Sequence, residues 1–294
     1  MNSVIITGAN RGIGFETSLG FARKGYKVFA TMRKPENAED LKKKIKEESL
    51  LISLYQMDVD SNASVRDTMK EILEKNGPIE VLVNNAGIER HGTIEELELS
   101  QFKEVMETNY FGIIRCVKAV LGSMRKNGSG CIINVSSVSG HISNSPLSSY
   151  AASKFAVEAL SEALAQEIKP YNIRVAIVKP GIIDTDMARD ISSKNYTATR
   201  SPITERFSNL FKESLKHPTH AGLVAEKIVE IAESDSWKLR YPVGPDAEPF
   251  LAWRASMSDE DWVNWNAASD DEWYASVEKD FGIKARPDTT IRSK

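Results

Sequence analysis

Seven short runs rich in β-branched residues recur along the chain, separated by longer segments with helical periodicity. They are "SVIIT" from Ser3, "KVFAT" from Lys27, "LLISLYQM" from Leu50, "IEVLVNN" from Ile79, "CIINVSS" from Cys131, "IRVAIVKP" from Ile173 and "LRYPVG" from Leu239. Strand and helix signals in alternation mark βαβ units and a parallel sheet. Several runs are apolar at successive positions instead of every second one, the pattern of strands covered by helices on both faces. The spacing therefore predicts an α/β fold with one doubly wound, seven-stranded parallel sheet. Helices are expected near residues 13–24, 36–48, 61–75, 100–125, 149–169 and 219–233.

A chain of 294 residues with 41% hydrophobic content is long enough to bury a substantial core. Its 38 basic and 41 acidic residues leave a net charge of −3, with no general attraction to nucleic acid or to an anionic membrane. Cys116 and Cys131 lie inside apolar runs without C-x-x-C or histidine spacing, so they read as reduced, buried thiols and not as a metal site or disulfide framework. His91, His141, His217 and His220 show no metal spacing either. The first strand begins at Ser3, leaving no room ahead of it for a signal peptide, and the expected address is cytoplasmic. No apolar stretch approaches the roughly 20 residues that span a bilayer.

Two regions break the βαβ rhythm. Residues 182–217 carry Met187, Ile191, Phe207, Leu210 and Phe211 but no strand, and an insertion of that length reads as a substrate lid. The tail from Asp246 holds Trp253, Trp262, Trp265 and Trp273 and is acidic. Within it, Ser269 followed by Glu272 forms a capping box, and Gly282 is a helix stop. The expected organisation is a core over residues 1–245 and a helical extension over 246–294 packed onto it, with a ligand-binding aromatic cage or contact to a partner as the alternative role for the tryptophans.

"TGANRGIG", Thr7 to Gly14, lies directly after the first strand and opens the first helix. Such a turn lets backbone N–H groups and a helix N-terminus face a phosphate pair. Gly8 and Gly12 permit the turn and the close approach, and Gly14 lets helix pack on strand. At the end of the second strand an acid would hold the ribose hydroxyls of NAD. Here Met32 stands in that place and Arg33 follows, while Arg11 adds a second guanidinium from the glycine turn. Guanidinium groups suit bidentate phosphate contact, so NADP is expected over NAD. "MDV", Met57 to Val59, ends the third strand with Asp58 placed to meet an adenine amino group. "NNAG", Asn84 to Gly87, ends the fourth. Ligands of open α/β sheets bind outside the carboxyl ends of the strands, where both motifs lie.

"SSYAASKFAVEAL", from Ser148 to Leu160, sets Tyr150 and Lys154 four residues apart at the start of a helix, on one face and within reach of each other. A nearby cation favours phenolate and lowers a phenol from its ordinary value near 10. Taken alone, the pair reads first as an ordinary amphipathic helix edge.

Together Thr7-Gly8-x-x-x-Gly12-x-Gly14, Asn84-Asn85-Ala86-Gly87, Ser137, Tyr150-x-x-x-Lys154 and Pro180-Gly181 stand in the order and spacing of the short-chain dehydrogenase/reductase family, which the sequence resembles from Ser3 to about Gly244. "VFATMRKPENAEDL" is similar to the branch that contains 17β-hydroxysteroid and retinol dehydrogenases. The resemblance implies a Rossmann-type fold and a catalytic set of Asn109, Ser137, Tyr150 and Lys154. Tyr150 would be the general acid or base, Lys154 would hold the nicotinamide ribose and lower the phenol's pKa, Ser137 would hydrogen-bond the substrate oxygen, and Asn109 would support a water leading to the lysine. The implied cofactor contacts are Gly8, Asn10, Arg11, Gly12, Ile13, Gly14, Arg33, Asp58, Val59, Asn85, Ala86, Gly87, Tyr150, Lys154, Pro180 and Gly181, with Ile183 and Thr185 meeting the nicotinamide carboxamide. The function implied is NADP-dependent interconversion of a lipophilic alcohol and its ketone or aldehyde. A nucleotide-sensing scaffold that engages a partner through the tail is the alternative. His141 borders the expected pocket, as a surface loop residue or a substrate contact. The helices near 100–125 and 149–169 commonly form a dimer interface in the family; Phe111, Ile114, Val117 and Leu121 give an apolar stripe that fits a homodimer or homotetramer and equally a face turned to the core.

Overall fold

Adjacent residues of the central strands are buried in opposite directions. In β1 (Ser3–Thr7), Val4 and Ile6 enter one apolar cluster and Ile5 the other, all three without solvent exposure. The same division recurs in β2 (Lys27–Met32), with Val28 and Ala30 against Phe29, and in β4 (Val81–Asn84), with Val81 and Val83 against Leu82. Continuous apolar runs in the sequence thus follow from a sheet with two covered faces. The computed structural model describes residues 2–193 and 201–287.

With β3 (Ile52–Gln56), β5 (Gly130–Val135), β6 (Ile173–Pro180) and β7 (Arg240–Val243) the sheet has seven strands in the order β3-β2-β1-β4-β5-β6-β7. Every pairing is parallel. Chain order reverses between β1 and β4, so the carboxyl ends of those strands open onto the crevice where ligands of such sheets bind. Helices α1 (Gly12–Arg23), α2 (Glu39–Glu48) and α9 (Ala221–Glu233) cover one face through Leu19, Phe21, Leu41, Val224 and Ile228. On the other face, α3 (Asn62–Asn76), α5 (Gly112–Asn127) and α6 (Ser148–Ile168) bring in Met69, Ile72, Val120, Met124, Val157 and Ile168. Both cysteines are buried in this core, where burial pushes the Cys116 thiol up to about 12 and that of Cys131 to about 11.

The single helix expected near 100–125 is three segments: α4 (Leu99–Met106), a π-helical turn over Glu107–Phe111, and α5. The extra residue in that turn coincides with the buried Asn109, whose amide bonds to another segment of chain and not to its own helix. Directly after it the backbone comes close to β3's exit: a Cβ on Gly112 would lie 3.0 Å from Val59 Cγ2.

After β6 come α7 (Asp186–Ser192) and α8 (Pro202–Ser214), the latter capped by the Ser201 hydroxyl. No strand is formed by the described residues of 182–217, and residues 194–200 of that expected lid lie outside the described residues. The tail forms α10 (Ala247–Ala255), α11 (Asp259–Ala267) and α12 (Asp270–Phe281). Ser269 and Glu272 make the capping box, and Gly282 takes the left-handed conformation at φ 69°. The tryptophans pack mainly on one another: Trp253 meets Trp262, Trp265 and Phe281 edge-on at 5.6, 4.9 and 4.8 Å. Where the tail meets the body it seats chiefly on α7 and α8. Trp273, Tyr274 and Val277 join Ile191, Phe207 and Leu210 in a third apolar cluster. Arg206 of α8, only 4% exposed, lies over Trp273 at 4.9 Å and donates to the carbonyls of Ala268 and Asn266, fastening α8 to the tail.

Candidate active site

The turn between β1 and α1 is held open by backbone geometry. Gly8 and Gly12 have φ of 66° and 55°, the left-handed region that disfavours side chains. A Cβ on Gly8 would stand 2.8 Å from Ala86 Cα. Gly14 does not line the cleft; it serves packing, since a Cβ there would fall 2.4 Å from the Gly8 carbonyl oxygen and 2.5 Å from Asn85 Nδ2. No side chain caps the N-terminus of α1 and no acid occupies its first turn. Its free N–H groups and the positive end of its dipole suit a pyrophosphate.

That turn is one end of a cleft of about 640 Å³ that runs along the carboxyl ends of the strands. Asn10, Arg11 and Ile13 line it beside Gly8 and Gly12. From β2 comes Arg33, with Lys34 and Asn37 after it, while Met32 ends the strand without a carboxylate. The exposed Arg11 guanidinium reaches across the cleft to Asp186 of α7 at 3.0 Å. Asp58 and Val59 line the stretch after β3, and the Asp58 carboxylate already accepts the Asp60 N–H at 3.1 Å. Burial raises the neighbouring Asp60 carboxyl above the ordinary range, and the Thr108 hydroxyl at 3.0 Å draws it back.

Asn85, Ala86 and Gly87 form the floor. The Thr7 hydroxyl accepts the N–H groups of both Asn85 and Ala86 at 3.0 Å, and the Asn85 amide donates to the carbonyls of Thr7 and Gly8. The fourth strand's exit and the glycine turn therefore form one hydrogen-bonded unit. Pro180, Gly181, Ile183 and Thr185 close the cleft from β6's exit. Behind them Asp246 accepts the Ile182 N–H at 2.7 Å, and its carboxylate fills the place a Cβ on Gly181 would need.

Ser137, Tyr150 and Lys154 meet at the other end of the cleft. Tyr150 keeps part of its surface open and packs against the apolar cluster of Leu147, Ile191 and Phe211. Ser137 follows β5, and its hydroxyl accepts the Ser139 N–H at 3.1 Å. Lys154 is buried; its Nζ donates to the Val135 carbonyl at 2.8 Å and lies 5.5 Å from the centre of the Tyr150 ring. Asn109 does not line the cleft. Its amide accepts the Ile88 N–H and donates to the Ile88 carbonyl and to Ser153 Oγ, at 2.8, 2.9 and 2.9 Å, bracing the loop after Gly87.

The expected lowering of the phenol is not found in the protein by itself. Burial pushes Tyr150 up to about 12, against a hydrogen bond with Ser137 that draws it down, and the Glu89 carboxylate adds to the rise. Burial likewise pushes Lys154 down to about 8, with Glu158 opposing. Desolvation penalises both charged forms more than the ammonium, held on a carbonyl, favours phenolate. At neutral pH the pair is a phenol beside a lysine that is still mostly protonated.

His141 is absent from the cleft lining; its ring is 2.8 Å from Lys179 Nζ. Residues that sequence reasoning missed include Lys34, Asn37, Asp60, Glu89 and Leu147. Lys34 and Asn37 simply continue the strand end at Arg33, a signal that was available.

Comparisons with known proteins place this geometry. The sequence matches the family description "short chain dehydrogenase" over residues 2–196. It is 35% identical over 252 residues to the 3-ketodihydrosphingosine reductase of Bacteroides thetaiotaomicron, covering 85% of this chain and 90% of that one. Retinol dehydrogenase 8 of Bos taurus is 34% identical over 272 residues, covering 86% and 85%. Among solved structures, the actinorhodin polyketide ketoreductase with NADPH superposes with a TM-score of 0.73 at 27% identity, covering 84% of this chain and 97% of that one. The chain belongs to the short-chain dehydrogenase/reductase family and is an oxidoreductase of that family.

Proposed function

We propose that the protein is an NADP(H)-dependent oxidoreductase that interconverts a lipophilic alcohol and the corresponding ketone or aldehyde. The observation that carries this reading is one cleft with two chemically distinct ends: an uncapped helix N-terminus with Arg11 and Arg33 at one, and Ser137, Tyr150 and Lys154 against apolar Leu147, Ile191 and Phe211 at the other. The cradle fits a dinucleotide, since Gly8 and Gly12 leave the turn free of side chains at positive φ and β2 ends at Met32 without a carboxylate to oppose a 2′-phosphate. The solved ketoreductase holds NADPH, which supports the same choice here.

When bound, the nicotinamide supplies the hydride donor or acceptor. In reduction the Tyr150 hydroxyl donates its proton to the carbonyl oxygen; in oxidation the same atom takes the alcohol proton. The Ser137 hydroxyl hydrogen-bonds that substrate oxygen and holds it at the phenol. Lys154 steadies the phenolate left behind and orients the ribose, and Asn109 fixes the backbone of Ile88 beneath them. Leu147, Ile191 and Phe211 exclude water from the reacting centre. Positioned proton transfer of this kind is worth about 10²–10⁴ in rate.

A panel of ketones and alcohols followed by NADPH absorbance, with NADH beside it, tests the reading. Turnover with a kcat/KM preference for NADPH of at least about tenfold is expected, falling by about tenfold in Arg33→Ala, as loss of a charge-assisted phosphate contact implies. Equal use of both cofactors would contradict the NADP assignment. Tight NADPH binding with no turnover across the panel would favour the scaffold role.

A further inference from the structure

Beside the Tyr150 phenol the cleft holds an ionisable group to which the mechanism gives no task. Glu89 follows the Asn84–Gly87 turn by two residues, is 8% exposed and lines the cleft with Tyr150 and Leu147. Its stretch of chain is fastened to the start of α6: Ser149 Oγ donates to the Arg90 carbonyl at 2.7 Å, and the Gly92 N–H to the Pro146 carbonyl at 2.9 Å. Glu89 is thereby held beside the catalytic tyrosine, and its charge acts on the phenol.

The carboxylate is incompletely satisfied. Both oxygens face a single ring nitrogen, His91 Nδ1, at 3.2 Å from Oε1 and 3.3 Å from Oε2, so one group serves the pair and the buried Oε1 makes no hydrogen bond of its own. Among the described residues no lysine or arginine pairs with it; the adjacent Arg90 side chain turns to Glu104 at 3.0 Å and to the Glu89 backbone carbonyl. Buried carboxylate oxygens without donors are costly and uncommon, and a polar group left in this state beside a binding cleft is suited to a ligand that completes it. A hydroxyl would satisfy the oxygen, and an ammonium would in addition meet the carboxylate's charge beside the apolar Leu147.

We propose that Glu89 is a substrate-binding residue and that the natural substrate is an amine-bearing alcohol or ketone, its ammonium close to the reacting carbon and its remainder lipophilic. This rests on the oxidoreductase reading of the same cleft. It makes Glu89 the residue that selects among ketones, while Ser137 and Tyr150 handle the oxygen common to all of them.

Three ketones on one carbon skeleton, carrying an ammonium, a hydroxyl or a methyl on the carbon beside the carbonyl, test the proposal with NADPH and the full-length protein. The wild type is expected to favour the amino ketone over the methyl ketone by about tenfold or more in kcat/KM, chiefly through KM, as for a hydrogen bond to a buried charge. In Glu89→Gln that ratio should fall by about tenfold, and further in Glu89→Leu. A wild-type ratio within about threefold, an unchanged ratio in Glu89→Gln, or a preference for the hydroxyl over the ammonium would overturn it. Should the variants fail to fold, the wild-type ratio decides. Calorimetry of the amino alcohol and its methyl analogue on the wild-type protein with NADP separates the two readings: preferential binding of the amine without turnover contradicts the oxidoreductase reading alone, and equal binding contradicts the role of Glu89.

Discussion

Tyr150 and Lys154 are four residues apart in sequence, and their placement on one helical face is therefore a local property that spacing alone reveals. Their protonation is not local. Burial moves the phenol up to about 12 and the lysine down to about 8, because the protein removes water from both. For a reaction in which Tyr150 donates a proton, the sign is clear: the phenol stays protonated across neutral pH, and Lys154 loses its proton as pH rises through about 8. The reductive kcat/KM is expected to hold level from about pH 6 to 8 and to fall above that. A pH–rate profile declining already below pH 7 would contradict this. Glu89 was invisible in sequence for the complementary reason. Its burial comes from hydrogen bonds between residues 90–92 and residues 146–149, more than fifty positions away, and no spacing rule carries that contact.

Helices and strands were legible where their pattern was periodic. All seven strand runs form strands, since alternate burial on two covered faces leaves a continuous apolar signature. The π-helical turn over Glu107–Phe111 was not legible, because one added residue shifts the apolar period too little to be seen, and the amide it carries, Asn109, bonds to the distant Ile88. Such turns recur at functional positions, and here the turn delivers the amide that supports the cleft floor. The tail's capping box could be read from Ser269 and Glu272, but its seat on α8 depends on Arg206 and Trp273 meeting across the chain. The β1–α1 unit makes a firm prediction. Gly14→Ala would force a methyl to 2.4 Å from the Gly8 carbonyl, so the turn must shift. NADPH affinity should fall by about tenfold or more, with lowered thermal stability. Calorimetric titration checks this, and unaltered affinity would show that the turn is not the cradle.

At the scale of the molecule, the doubly wound sheet fixes the cleft, and Ile191 and Phe211, which line it, share one apolar cluster with Trp273, Tyr274 and Val277 of the tail. No helix among the described residues is long and apolar enough to cross a membrane. On the α5 and α6 side the stripe expected from sequence divides: Val117 is buried in the core, while Phe111 is exposed and Phe155 of α6 stands exposed with it. Two such aromatic side chains suit the helix-paired dimer expected from the family, and sedimentation equilibrium should give the mass of a dimer or larger assembly; a monomer at micromolar concentration would contradict it. The account as a whole depends on Tyr150 as the group that moves the proton. The most direct test is Tyr150→Phe, assayed for NADPH consumption and, separately, for NADPH binding. Turnover reduced by at least about 10²-fold with affinity within about threefold of wild type is the expected result. Turnover retained with the hydroxyl gone would contradict it.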